Sequence, residues 1–159
     1  MKKKFVILLI IFVIGIFSAS VWLILSYQLK NSEGFEIYLV NTGELVISNE
    51  DIISYNKSSH EIKLNGEGII KVKNLDLYKK SFVIKINGKE IYNGSFWSSI
   101  SSMSFSGVVI IDVITIQHDS SDIIRIETGY PGSDFFKGSD PRNNQEILVY
   151  FREAGKLIE

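Results

Sequence analysis

Cysteine is absent from all 159 residues. No disulfide staples the fold and no lipid-modified cysteine anchors it, so stability has to come from apolar burial. Histidine is nearly absent too. His60 and His118 each neighbour a carboxylate, Glu61 or Asp119, but a metal site needs at least three convergent ligands and no spacing supplies them. Both read as surface histidines, and no metal or cofactor is expected. No Gly-x-Ser-x-Gly elbow frames any serine between 95 and 106, which leaves Lys89 or His118 without a nucleophile to activate. Asp119, Asp134 and Asp140 lack the alternating oxygen ligands of a calcium loop. No catalytic residue is therefore assigned. Positive charge is scarce as well: with Lys2, Lys3 and Lys4 set aside, 14 basic residues face 18 acidic ones. That balance excludes nucleic acid as a partner, since phosphate binding needs clustered positive charge.

The prominent presence is the apolar run from Phe5 to Leu25, preceded by the three lysines. As a helix it would reach roughly 31 Å, the thickness of a bilayer's hydrocarbon core. The lysines set its direction by the positive-inside rule. The resulting expectation is a single-pass protein of the cell membrane. Residues 1–4 form a cytoplasmic tail, 5–25 an anchor in the lipid bilayer, 26–34 a tether and 35–159 one domain outside the cytoplasm. A cleaved signal peptide is the alternative, because Ser18-Ala19-Ser20 offers a cleavage site after an apolar stretch. Val21 to Leu25 continue the apolar run past that point and favour the anchor.

The expected fold class is α+β: an N-terminal transmembrane helix, then one extracytoplasmic domain with a mainly antiparallel sheet and two helices. Strands are expected at Phe35 to Val40 and Leu45 to Ile47, and Ser48 with Asp51 marks a short helical turn through Ile53. His60 to Leu64 is a further strand. Ile69, Val72 and Leu75 recur at helical spacing behind an Asn65 cap, although Ile70 to Lys73 also alternates like a strand; a helix over 67–76 is favoured. Ser81 to Ile86 and Lys89 to Tyr92 flank Asn87-Gly88, the signature of a two-residue hairpin turn. The serine-rich stretch from Ser95 to Gly107 carries Phe96, Trp97, Ile100, Met103 and Phe105, and is expected to pack over the sheet. Gly107 to Val113 reads as a strand buried on both faces, Ile123 to Thr128 as another. Asp140-Pro141 reads as the start of a helix running to Ala154.

The order strand, Leu64-Asn65-Gly66-Glu67-Gly68, helix, Phe82-Val83-Ile84-Lys85-Ile86-Asn87-Gly88-Lys89-Glu90-Ile91 resembles the head part of the P1 domain of SecD, the protein-export accessory subunit. There too a strand leads into a glycine-bearing helix start and then a hairpin turning on Asp-Gly or Asn-Gly. The likeness covers residues 62 to 92. It implies an α+β module that contacts polypeptides, and it does not imply a translocase.

The long loop from Gly129 to Arg142 gives the candidate interaction surface: Tyr130, Asp134, Phe135, Phe136, Lys137 and Arg142. Aromatic side chains ringed by charges have the composition of an interface centre with a polar rim. The competing expectation is that the phenylalanines fold back over the core and Asp140 caps the helix. Two functions follow from the sequence, a binding module with a protein or peptide partner and no catalysis, or a small envelope hydrolase with its site near 129–142. The hairpin is directly testable. Gly88→Val forces a branched side chain into a left-handed turn and is expected to cost about 1 kcal/mol or more; an unchanged melting temperature would mean that no such turn exists.

Overall fold

The computed structural model describes residues 15–18, 20–21, 34–113, 116 and 121–159. The chain divides into two units, Met1–Glu33 and Gly34–Glu159. In the first, helical backbone is described at 15–18 and 20–21, where the Ser18 and Ser20 hydroxyls donate to the carbonyls of Gly15 and Phe17. Most of the run expected to span a bilayer lies outside the described residues. Among those described, no helix is long and apolar enough to cross a membrane. This corrects the expected transmembrane anchor, and with it the single-pass location at the cell membrane. The physical reason is that hydropathy fixes only how far an apolar run could reach if it were one unbroken helix.

The second unit is mainly sheet. Its strands are β1 (Phe35–Leu39), β2 (Leu45–Ser48), β3 (Ile52–Asn56), β4 (Glu61–Leu64), β5 (Ser81–Ile86), β6 (Lys89–Phe96), β7 (Phe105–Ile111), β8 (Ile123–Tyr130) and β9 (Leu157–Ile158), with helices α1 (Gly66–Asn74) and α2 (Gln145–Glu153). They form one sheet in the order β2-β1-β5-β6-β7-β8-β4-β3-β9. The sheet is mixed, because β6 with β7 and β3 with β9 run parallel. The expected fold class is corrected here also: one nine-stranded mixed sheet, antiparallel in most of its pairings among the described residues, replaces an N-terminal transmembrane helix followed by a domain.

This sheet has to curl. β2 and β3 stand seven spacings apart in the strand order, about 34 Å in a flat sheet, yet only the 3-10 turn Asn49–Asp51 joins them. The four steps from Ser48 to Ile52 reach no more than ~14 Å. The ring of Phe151 on α2 shows the same closure from inside, with centroids 4.9 Å from both Phe35 on β1 and Tyr55 on β3. Helix α2 therefore fills the concave side, burying Ile147, Leu148 and Phe151 against Phe82, Ile84, Phe96, Ile110 and Ile126. Burying one such phenylalanine is worth about 2–3 kcal/mol.

Local signals explain the elements. Asn87 and Gly88 both have positive φ, 50° and 78°, as a tight hairpin turn requires. Asn65 caps α1 by accepting from the Gly68 amide. Helix α2 starts later than the sequence suggests: Asn144 accepts from the Glu146 amide as its cap, because Asp140 is engaged by Arg142 instead. Strand β7 is buried on both faces as its composition suggests, with Val108 and Ile110 in the main core and Val109 and Ile111 in a second cluster.

The closing turn is held by Asp51, whose side chain is 1% exposed. Its carboxylate accepts from the Ser48 amide and hydroxyl and from Lys71 on α1, all at 2.7–2.8 Å. Its carbonyl accepts from the Asn65 amide. Helix α1 comes close because Gly68 has no side chain; a Cβ there would stand 2.9 Å from Asp51 Cβ. Asp51→Ala is expected to cost about 3 kcal/mol, since it removes a cap and leaves buried donors unpaired. Lys71→Ala should cost about 1 kcal/mol, because water can replace a half-exposed ammonium. Urea unfolding of the two variants checks the order; equal losses would show that the ion pair, not the cap, carries the energy.

Candidate interaction surface

The residues singled out in the 129–142 loop fall into different environments. Tyr130 ends β8 in a second apolar cluster with Trp97, Val109 and Ile111. Its hydroxyl donates to the carbonyls of Ser99 and Ser101 at 2.8 and 3.1 Å. Phe136 is half-buried against the main core. Arg142 turns inward, its Nη1 donating to the Ile126 carbonyl and its Nε and Nη2 to Asp140. Asp134, Phe135 and Lys137 are exposed, Phe135 at 46%. The loop doubles back on itself, since a Cβ on Gly129 would lie 2.7 Å from both the Gly132 carbonyl and the Phe136 amide nitrogen.

Tyr130 ties this loop to the serine-rich one. Trp97 stacks near Tyr78, Phe105 and Tyr130, with centroids 5.9, 5.1 and 6.4 Å away, and its Nε1 donates to the Met103 carbonyl. The Tyr78 hydroxyl donates to Ser101 Oγ. On this braced base Ile100 is 86% exposed and Met103 53%. Between them and Tyr78-Lys79 lies an open depression of about 390 Å³, lined also by Ser98, Ser101 and Ser102. The sequence pointed to the wealth of large apolar residues among these serines. It did not reveal which would face inward, because Trp97 and Ile100 sit in the same polar surroundings.

A larger groove, about 420 Å³, lies over β1, β5 and β6, lined by Tyr38, Lys85, Glu90 and Asn93 among others. Its charges serve one another. Lys85 pairs with Glu90 at 3.4 Å and stands 5.4 Å from the Tyr38 ring centre, which leaves little unmet demand for a ligand.

A buried polar group lies elsewhere. Tyr55 Oη is 2.8 Å from His60 Nδ1. Burial, reinforced by the Arg142 guanidinium, lowers the His60 pKa. Burial raises those of the Tyr55 and Tyr92 hydroxyls. Hydrogen bonds from Arg142 hold the Asp140 carboxyl below its usual range. With its carboxylate occupied by Arg142, Asp140 is not placed to orient a catalytic base. His118 and Asp119 lie outside the described residues. Among the described residues no three His, Cys, Asp or Glu side chains are grouped to hold a metal ion.

No protein-family model, no curated protein and no solved structure matches this chain.

The two adjacent phenylalanines separate by experiment. Phe136→Ala is expected to cost about 2–3 kcal/mol through loss of core packing, and Phe135→Ala less than about 0.5 kcal/mol. Thermal unfolding decides; equal and large losses would place Phe135 in the core as well.

Proposed function

We propose that this chain is a non-catalytic binding module that contacts a polypeptide partner through the surface formed by Tyr78, Ile100 and Met103. The observation that carries this reading is the exposure of Ile100 and Met103 on a loop tied down by Trp97, Tyr78 and Tyr130. A loop held by internal hydrogen bonds loses little further freedom on binding, so more of its apolar contact energy appears as affinity. Methionine adapts to irregular partner surfaces. The polypeptide class accords with the resemblance of residues 62 to 92 to the SecD P1 head, a stretch that supplies Tyr78 and Lys79 to the same surface.

The test is binding of the chain to an array of extended apolar peptides. The double variant Ile100→Ser with Met103→Ser should lose about tenfold or more in affinity, or ~1.4 kcal/mol, at an unchanged melting temperature. Equal binding by the variant, or no peptide bound by the parent chain, would overturn the reading.

A further inference from the structure

Lysine stands at position 79 where the backbone favours glycine. The turn over 77–80 is closed by the Lys80 amide, which donates to the Leu77 carbonyl at 3.0 Å. Its third residue, Lys79, is left-handed at φ 62°, whereas Tyr78 before it has no positive φ. That is the pattern of a type II turn, in which a side chain at the third position is strained. Phe96 at the end of β6 grips this turn through both its polar groups, accepting from the Lys79 amide and donating to the Lys80 carbonyl, each at 2.9 Å. The Lys79 side chain therefore sets out from a fixed point. Its Nζ lies 3.2 Å from Met103 Sδ and 5.0 Å from the centre of the Tyr78 ring, on the wall of the depression that Ile100 and Met103 share.

The ammonium there is poorly served. Lys80, next in the chain, has the Asp76 carboxylate at 3.9 Å, but among the described residues no carboxylate pairs with Lys79. Its sulfur neighbour is a weak acceptor for a group that carries three donors. A second donor lies in the same depression. Ser98, 3% exposed, accepts from the Ile100 amide at 3.3 Å through its Oγ, and among the described residues its hydroxyl hydrogen meets no acceptor. No acidic side chain lines the depression. Its walls are thus apolar, its spare polar capacity is all donor, and its one charge is positive.

Taking this depression as the binding face argued above, we propose that its occupant is an apolar side chain of a polypeptide that carries an aspartate or glutamate within two positions of it, the carboxylate accepting from Lys79. Charge complementarity selects that occupant. Residues two apart on an extended peptide share a face, so one can enter the depression while the other meets the ammonium beside Met103. Beyond its first lysines the chain has 14 basic residues against 18 acidic ones, so its overall field does not gather acidic peptides and the preference is local. Ile100 and Met103 supply the affinity and Lys79 the choice. An exposed ion pair is worth little, and the expected preference is about fivefold.

Fluorescence anisotropy of the full chain with labelled, end-blocked peptides tests this. One extended apolar frame carries Glu, Gln or Lys two positions from its apolar anchor. Affinity should fall in the order Glu, Gln, Lys at about 0.01 M salt, with the first step about fivefold. The step should vanish at about 1 M, where screening acts within about 3 Å. Lys79→Gly should bind the Glu and Gln peptides equally and also melt at a higher temperature than the parent chain, because glycine relieves the left-handed backbone. Lys79→Glu should reverse the order. Equal binding of the Glu and Gln peptides by the parent chain, or a preference that survives in Lys79→Gly, would overturn the role of Lys79 and leave the binding face standing. A lower melting temperature in Lys79→Gly would overturn it too, since the lysine would then serve the fold. The binding face itself fails if Ile100→Ser with Met103→Ser binds as the parent does, and both fail if the parent binds none of the peptides.

Discussion

Everything in the second unit depends on closing the turn between β2 and β3. Two strands separated across almost the whole width of the sheet are neighbours in sequence, and the Asp51 carboxylate holds them so, gathering Ser48, Lys71 and, through its backbone, Asn65. The curl this imposes creates the concave space that α2 fills, and Phe151 can then touch both β1 and β3. Electrostatics here serves topology. A buried carboxylate is expensive unless its lone pairs are filled, and a capping box with one partly solvated lysine fills them.

Closure of the sheet also separates its two faces. The inner face takes the large core around α2, whereas the outer face of β7 and β8 needs a cover of its own. The Trp97, Phe105 and Tyr130 cluster supplies it, with the serine-rich loop laid over the top. Short polar side chains suit such a cover because they hydrogen-bond locally, as Ser101 does with Tyr78 and with the Met103 amide. The loop can then hold Ile100 and Met103 outward without collapsing onto them.

Local features were legible in the sequence. Asn87-Gly88 announced its turn, Asn65 its cap, and the unbroken apolar run Val108 to Ile111 its burial on both faces, because each signal is complete within a few residues. Strand β3 was missed: Ser48 and Asp51 do start a helical turn, but it ends at Asp51, and Ile52 pairs with Leu64 instead. Asp140 had the residue type and the following proline of a helix cap, yet Arg142, two positions on, competes for the same carboxylate. The expected bilayer span rested on hydropathy alone, which measures reach and not structure. Within the long loop, composition identified aromatic residues that are costly to expose, but the inward course of Tyr130 and Phe136 depends on partners at Ser99, Ser101 and the main core, far away in sequence.

The strand order also has a consequence for synthesis on the ribosome. β3 and β4 emerge as an early hairpin, yet the other neighbour of β4 is β8, and among the described residues the other neighbour of β3 is β9, about ninety residues after the hairpin ends. At about 5–20 residues per second, the hairpin waits several seconds for that partner. Throughout that interval Tyr55, Ile62 and Leu64 have no finished core to enter. Until β8 and β9 emerge, the nascent chain thus carries an unpaired, apolar strand edge, the kind of surface that holding factors shield.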